Sequence, residues 1–225
     1  MNQLRYFQTV ALAALVYFIF TASWYHWVSM LTVYLFMSSF GQSMVYHRCI
    51  AHRSWVCPRW YFLFSNFVVT LAGIGSAIGW TAIHLQHHRF SDTDQDPHSP
   101  KNGVMSVYTH SMTYPVNLKY AVGCLKDKTL VWFHEYYWQI HLIYVTLLFV
   151  AYPYGIISLY LAPASLTWIV SCTFNVVCHI QGSRNFETRD SSTNNRWINW
   201  LTLGEGWHNN HHAKPGSYTC LLYTS

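Results

Sequence analysis

Two long stretches of this chain carry no Asp, Glu, Lys or Arg: Tyr6 to His47 and Tyr136 to Ser183. A bilayer core takes about 20 apolar residues per helix, so each stretch has room for two crossings and a tight turn. The first turn is expected at Ser23-Trp24-Tyr25-His26-Trp27, whose aromatic rings suit a membrane interface. The second is expected at Tyr152-Pro153-Tyr154-Gly155, where Pro and Gly break the helix. A secretory signal ahead of a soluble domain does not fit: no small-residue cleavage site follows the first stretch, and the second repeats the pattern. All thirteen basic residues lie outside the two hairpins. The positive-inside rule therefore places both termini and the middle segment on the cytoplasmic side of a multi-pass membrane protein.

Composition agrees with this reading. The chain is 52% hydrophobic and 9% charged, against about 25% charged in soluble domains. Its six cysteines form no CxxC pair, which disfavours a zinc ribbon or a disulfide scaffold and suits a reducing compartment. At 225 residues the chain is read as one domain, 1–219. The final CLLYTS, 220–225, can be encoded by a transposase-adaptor end, so it is expected to be a sequencing scar on a C-terminally truncated chain.

Nine of the fourteen histidines fall into four patterned clusters. HRCIAH holds His47 and His52, and HLQHH holds His84, His87 and His88. NVVCH holds Asn175 and His179, and HNNHH holds His208, His211 and His212. Residues three and four apart share a helical face, so each HxxHH presents a fork of imidazoles expected to converge on one point. His47 and His52, five apart, would splay by about 140° on a straight α-helix. The helix is therefore expected to end or bend between them, sending each ring to a different metal. Nine imidazoles are too many for one ion and suit two. Neutral imidazole serves iron, copper, zinc and nickel, and a structural zinc site would be closed by four ligands, commonly including Cys. A nitrogen-rich pair of sites with Asn175 nearby, holding a bound water, looks like an oxygen-activating diiron centre.

Tyr61 to Trp80 is also long and uncharged. If it crossed the bilayer, the histidines before and after it would face opposite compartments. It is therefore expected to dip into or lie along the cytoplasmic side. The fold class that follows is an all-α integral membrane protein, with four transmembrane helices as two hairpins. A cytoplasmic helical cap then holds the dimetal site.

The segments HRCIAHRSW, HLQHHRFSDTDQDPHSP, NVVCHIQGSRNFETRDSSTNN and GEGWHNNHHAKPGS resemble the membrane fatty acid desaturase family. Within it they are similar to the delta-9 acyl-CoA/acyl-lipid branch that includes stearoyl-CoA desaturase. The resemblance implies four spans, two iron ions, molecular oxygen as co-substrate and an external electron donor. The expected activity is oxygen-dependent desaturation of a fatty acyl chain carried on CoA or in a membrane lipid, at delta-9. Cytochrome b5 or ferredoxin, both acidic, is the expected donor, steered by Arg53, Arg59, Arg89, Lys101, Arg184, Arg189 and Arg196. The chain departs from the family pattern at SVYTHSMTY, Ser106 to Tyr114. It also lacks the HPGG signature of a fused cytochrome b5 domain.

Asp96 and Glu205 are expected to accept a second ring N–H from ligating histidines. Asp92, Asp94 and Asp96 could form a calcium-like loop or a solvated turn, and the preferred reading lies between the two, with Asp96 the one of the three expected to bond a ligating histidine. Ser43, Phe40 and Ser39 are expected to line a substrate tunnel, Trp80 and Trp207 to pack, and His26, His98, His110, His134 and His141 to have no role. Two other functions fit less well. A diiron hydroxylase or ketolase acting on hydrocarbons or carotenoids shares the boxes but not the DTDxDPH and NxxxH elements. A metal transporter would place its ligands within the spans.

Overall fold

The computed structural model describes residues 2–110 and 114–219. The expected scar at 220–225, and 111–113 inside SVYTHSMTY, lie outside the described residues, as does the side chain of His110. Among the described residues all extended regular structure is helical, with only isolated bridges pairing Ser183 with Asn194 and Asn194 with Trp207.

Helix α1 (Asn2–Thr21) is followed by α2 (Trp24–Leu35), which passes without a break into a π-helical segment, Phe36–Ala51. The turn between α1 and α2 is tighter than expected: Ser23 caps α2, its N–H meeting His26 Nδ1 at 3.2 Å, and Trp24 is already helical. The second turn falls as expected between α7 (Tyr137–Ala151) and a π-helical turn at Ile156–Leu161 that leads into α8 (Ala162–Ile180). The two turns touch. His26 Nε2 lies 2.9 Å from the Tyr152 hydroxyl and the Thr21 hydroxyl 3.0 Å from that of Tyr154. His26 thus acquires a structural role that the sequence did not suggest.

Among the described residues, three helical stretches are long and apolar enough to cross a membrane: Gln3–Thr21, Trp24–Ala51 and Ile156–Ile180. Helix α7, with 15 residues, reaches only about 22 Å of the roughly 30 Å hydrocarbon layer. It stops at Ala151 because Pro153 cannot continue it. Its outward side chains, Leu142, Ile143, Leu147, Phe149 and Val150, are all more than 60% exposed, a surface suited to lipid rather than water.

The stretch from Tyr61 to Trp80 is not one helix. Helix α3 (Arg59–Leu71) ends, Gly73 (φ +66°) and Gly75 (φ +98°) take left-handed conformations that favour glycine, and α4 (Ala77–Phe90) begins behind the Ser76 cap. With 13 residues, α3 is too short to span at 1.5 Å per residue. Gln8 of α1 reaches over, its Nε2 donating to the Ala72 and Gly73 carbonyls at 3.1 and 2.9 Å, which satisfies carbonyls left free at a helix end. Helix α3 packs tightly on the π-helical segment: a Cβ on Gly41 would sit 2.3 Å from Val69 Cγ2.

Shorter helices complete the far end from the two turns: α5 (Val104–His110), α6 (Lys128–Glu135), α9 (Arg196–Leu201) and α10 (His208–Ala213). From Trp24 to His47 the chain climbs about 30 Å, so the histidines gather at the opposite end of the helices from the two touching turns.

Candidate metal centre

The π-helical segment decides the first half of the site. Its hydrogen bonds run from residue i to i+5, and the last of them joins His52 N–H to the His47 carbonyl at 3.0 Å. Residues five apart therefore come onto one face, and the two imidazole centroids lie 4.8 Å apart. The expectation that these rings serve different metals is corrected: the wider helical turn brings them together.

Glycines 73 and 75 turn α4 back so that His84, His87 and His88 meet that face. Helix α10 brings His208, His211 and His212, locked in place by asparagines. Asn209 Oδ1 accepts from the N–H groups of Asn185 and Phe186 at 2.8 and 2.9 Å. Asn210 Oδ1 accepts from the side chains of Asn185 and Asn194 at 3.0 and 2.9 Å. His179 arrives from the end of α8.

All nine histidines converge, in two groups. Group one is His47, His52, His84, His88 and His211; group two is His87, His179, His208 and His212. In each, one nitrogen per ring lies within 4.8 Å of all the others. The forks do not act as units, contrary to the sequence expectation. Rings at i and i+4 (His84 with His88, His208 with His212) share a group, while His87 and His211 serve the other. Consecutive residues point 100° apart on an α-helix, so one HxxHH straddles two adjacent sites.

The nitrogens fit metal ions. In group one the Nε2 atoms form a chain of contacts: His47 to His211 at 3.0 Å, His211 to His88 at 2.9 Å, His88 to His84 at 3.1 Å and His84 to His52 at 2.7 Å. In group two, His179 and His208 Nε2 are 3.0 Å apart, and the buried Nε2 atoms of His87 and His212 have no hydrogen-bond partner. Metal–imidazole bonds of about 2.0–2.1 Å set nitrogens about 3 Å apart when they subtend 90° at one ion. Five lone-pair donors crowded at that spacing repel one another unless a cation sits among them.

The protonation states agree with ligation, which needs neutral imidazole. Burial, and after it the neighbouring imidazoles, holds His84, His88, His208 and His211 well below the usual histidine value. Burial lowers His52 to about 2 and His212 to about 4.

Four carboxylates fix the outward Nδ1 atoms: Glu205 to His47 at 2.8 Å, Asp96 to His87 at 2.9 Å, Asp92 to His179 at 3.2 Å and Asp190 to His212 at 2.8 Å. An Nδ1–H donated to a carboxylate leaves Nε2 free to ligate. Burial alone would raise these carboxyls, but the charges and hydrogen bonds of their histidine partners, joined by Arg48 at Glu205, outweigh it and hold all four low. Asp96 and Glu205 take the places expected of them. Asp92 and Asp190 were missed: Asp92 is no solvated turn residue but also accepts from Ser191 N–H and Oγ at 2.6 and 2.5 Å. Asp94 alone of that trio is exposed.

A cavity of about 380 Å3 reaches His47, His84 and His208. Apolar walls come from Trp168, Phe174 and Ile83, and Asn175 lies on it too. The Asn175 side-chain amide donates to the Ser171 carbonyl at 2.9 Å. Of the expected liners only Ser43 takes part; Phe40 and Ser39 do not. Tyr34, Ser38 and Gln42 stand instead, because the face leading to His47 follows the wider π-helical turn rather than the 3.6-residue period used to choose them. Trp80 stacks on His84 at 4.7 Å and 16°. Among the histidines left without a role, His98 packs 4.9 Å from His87, His134 Nδ1 meets the Ser76 hydroxyl at 2.6 Å, and His141 Nδ1 meets the Tyr160 hydroxyl at 2.5 Å.

A sequence profile of the fatty acid desaturases matches residues 3–222. The chain is 33% identical over 225 residues to Delta-9 acyl-lipid desaturase 2 of Arabidopsis thaliana, which covers 93% of this chain and 69% of that protein. It is 36% identical over 214 residues to Acyl-CoA 5-desaturase AL21 of Anemone leveillei, covering 86% and 63%. The sn-1 stearoyl-lipid 9-desaturase of Anabaena variabilis is 30% identical over 215 residues, covering 87% and 75%. The chain thus spans between about half and three quarters of the length of the curated relatives it matches.

Proposed function

The chain belongs to the fatty acid desaturase family, and from that premise we propose that it introduces a double bond, at delta-9, into a fatty acyl chain held in a membrane lipid or on CoA. The observation that carries the proposal is the convergence of nine histidines into two ligand-spaced groups, of which His47, His84 and His208 line one apolar cavity. Two iron ions are the proposed occupants, held by His47, His52, His84, His88 and His211 and by His87, His179, His208 and His212, with Asn175 contributing through a water. When bound, the pair supplies the power to activate oxygen and take two hydrogens from an unactivated methylene pair, which no side chain here possesses.

The chain's own residues do the rest. Trp168, Phe174 and Ile83 exclude water from the acyl chain, and a dry site suppresses side reactions. Glu205, Asp92, Asp96 and Asp190 hold the imidazole protons on Nδ1. Arg53, Arg59, Arg89, Lys101, Arg184, Arg189 and Arg196 are all exposed and form the proposed steering surface for an acidic one-electron donor, cytochrome b5 or ferredoxin.

The proposed topology is four spans in two hairpins, with the termini and metal groups in the cytoplasm. Its support is the pair of touching turns at one end of the bundle, free of Lys and Arg. The short α7 would cross by local thinning of the bilayer, at modest cost.

Expression in a desaturase-deficient host, followed by gas chromatography with double-bond localisation, tests the activity. A monounsaturated acyl product is expected. Hydroxylated chains in its place would overturn the reading.

A further inference from the structure

The two histidine groups share a donor type, but the charges behind them differ. Behind group two stand Asp92, Asp96 and Asp190, each bonded to a different ring. None of the three has an Arg or Lys partner within ion-pair distance among the described residues. Behind group one stands Glu205 alone, and Arg48 Nη1 lies 2.6 Å from its Oε1. The outer charge is therefore about −3 behind group two and about zero behind group one. Solvent access differs in the same direction. In group two, His87, His179 and His208 are buried and only His212 is half-buried, whereas in group one His47 and His211 are buried and His52, His84 and His88 are half-buried.

We infer that the two metal positions are unequal: group two fills first and holds its ion more tightly, and group one is the exchangeable position. The inference rests on the metal-binding reading above and adds an order to it. An outer carboxylate makes its imidazole a stronger donor and stabilises the dication through space, and removing one such partner typically costs about 10–100-fold in affinity. Group one has a fifth nitrogen in its favour. Against it stand three unneutralised carboxylates, in a drier setting where charge attraction is less screened. Asp92, Asp96 and Asp190 are thus positioning residues that act on the metal through a histidine.

An anaerobic cobalt(II) titration of the purified chain in detergent, read by its visible spectrum, tests this. Two resolved steps are expected, the first at least about 10-fold tighter. A chelator added to the doubly loaded protein should then remove cobalt in two phases. Asp96→Asn should weaken the first step about 10–100-fold and leave the second in place, while Glu205→Gln should move only the second. His87→Ala should abolish the tight step and His52→Ala should spare it, which a general loss of folding would not do. Two equal steps in the wild type, or Glu205→Gln weakening the tight step, would overturn the inference while leaving the metal reading intact. No cobalt binding at all would overturn both.

Discussion

Group one hangs on a π-helical turn at the end of a long apolar helix; group two draws on the ends of three α-helices and a loop rich in Asp and Asn. In group one the backbone does the unusual work. Hydrogen bonds from i to i+5 bring His47 and His52 together, and one neutralised carboxylate suffices behind them. In group two the backbone is ordinary, and convergence depends on side chains from distant segments. His179 and Ser191 meet on Asp92, and His212 meets Asp190. The two groups thus converge by different means, one through helix geometry and the other with the help of outer carboxylates.

The largest expected effect falls on group two. His208→Ala should abolish unsaturated product while the protein still inserts in the membrane, as read by lipid analysis and membrane fractionation. Retained activity would remove that residue from the site.

Acid should separate the two groups next. In the metal-free protein His52 and His212 are held below 6.5, at about 2 and about 4, chiefly by burial, with the Asp190 hydrogen bond raising His212. Between those values and 6.5 the unfolded chain binds more protons than the folded one, so stability falls as pH is lowered. Thermal unfolding should show a midpoint that drops below about pH 6.5. An NMR titration should find His212 protonating before His52; the reverse order would show that Asp190 does not support group two.

Gly41→Val probes the scaffold of group one. Its new side chain meets Val69 and the Phe36 carbonyl, and overpacking of this kind typically costs about 1–3 kcal/mol, measurable as a lowered unfolding midpoint. The smallest effect is expected from Ser191→Ala, which removes one hydrogen bond to Asp92 while those from the Ser191 N–H and His179 remain. It should slightly weaken metal binding in group two and leave group one unchanged.

Much of this was legible in the chain. The charge gaps located both turns, and the requirement that the histidines share one membrane face led to the expectation that Tyr61 to Trp80 does not cross; in the structure that stretch is not one continuous helix. The structure supplies the means, a break at Gly73 and Gly75. Asp96 was legible because it lies 9 residues from His87, the ring it bonds; Glu205 was chosen for its place beside the last cluster, but it bonds His47 of the first. Asp190 was not legible, since it is 22 residues from His212 and no spacing rule links them. Asp92 was misread because its partner His179 is 87 residues away. Phe40 and Ser39 were misplaced as tunnel liners by assuming an α-helical period where the backbone is π-helical.

What the sequence alone determined is which nine histidines cluster and which stretches form long apolar helices, because imidazole spacing and the absence of charge are local properties of the chain. Which histidine joins which group was decided only in three dimensions. That division depends on the pitch of one helix and on where distant segments pack, and neither is written in the interval between two residues.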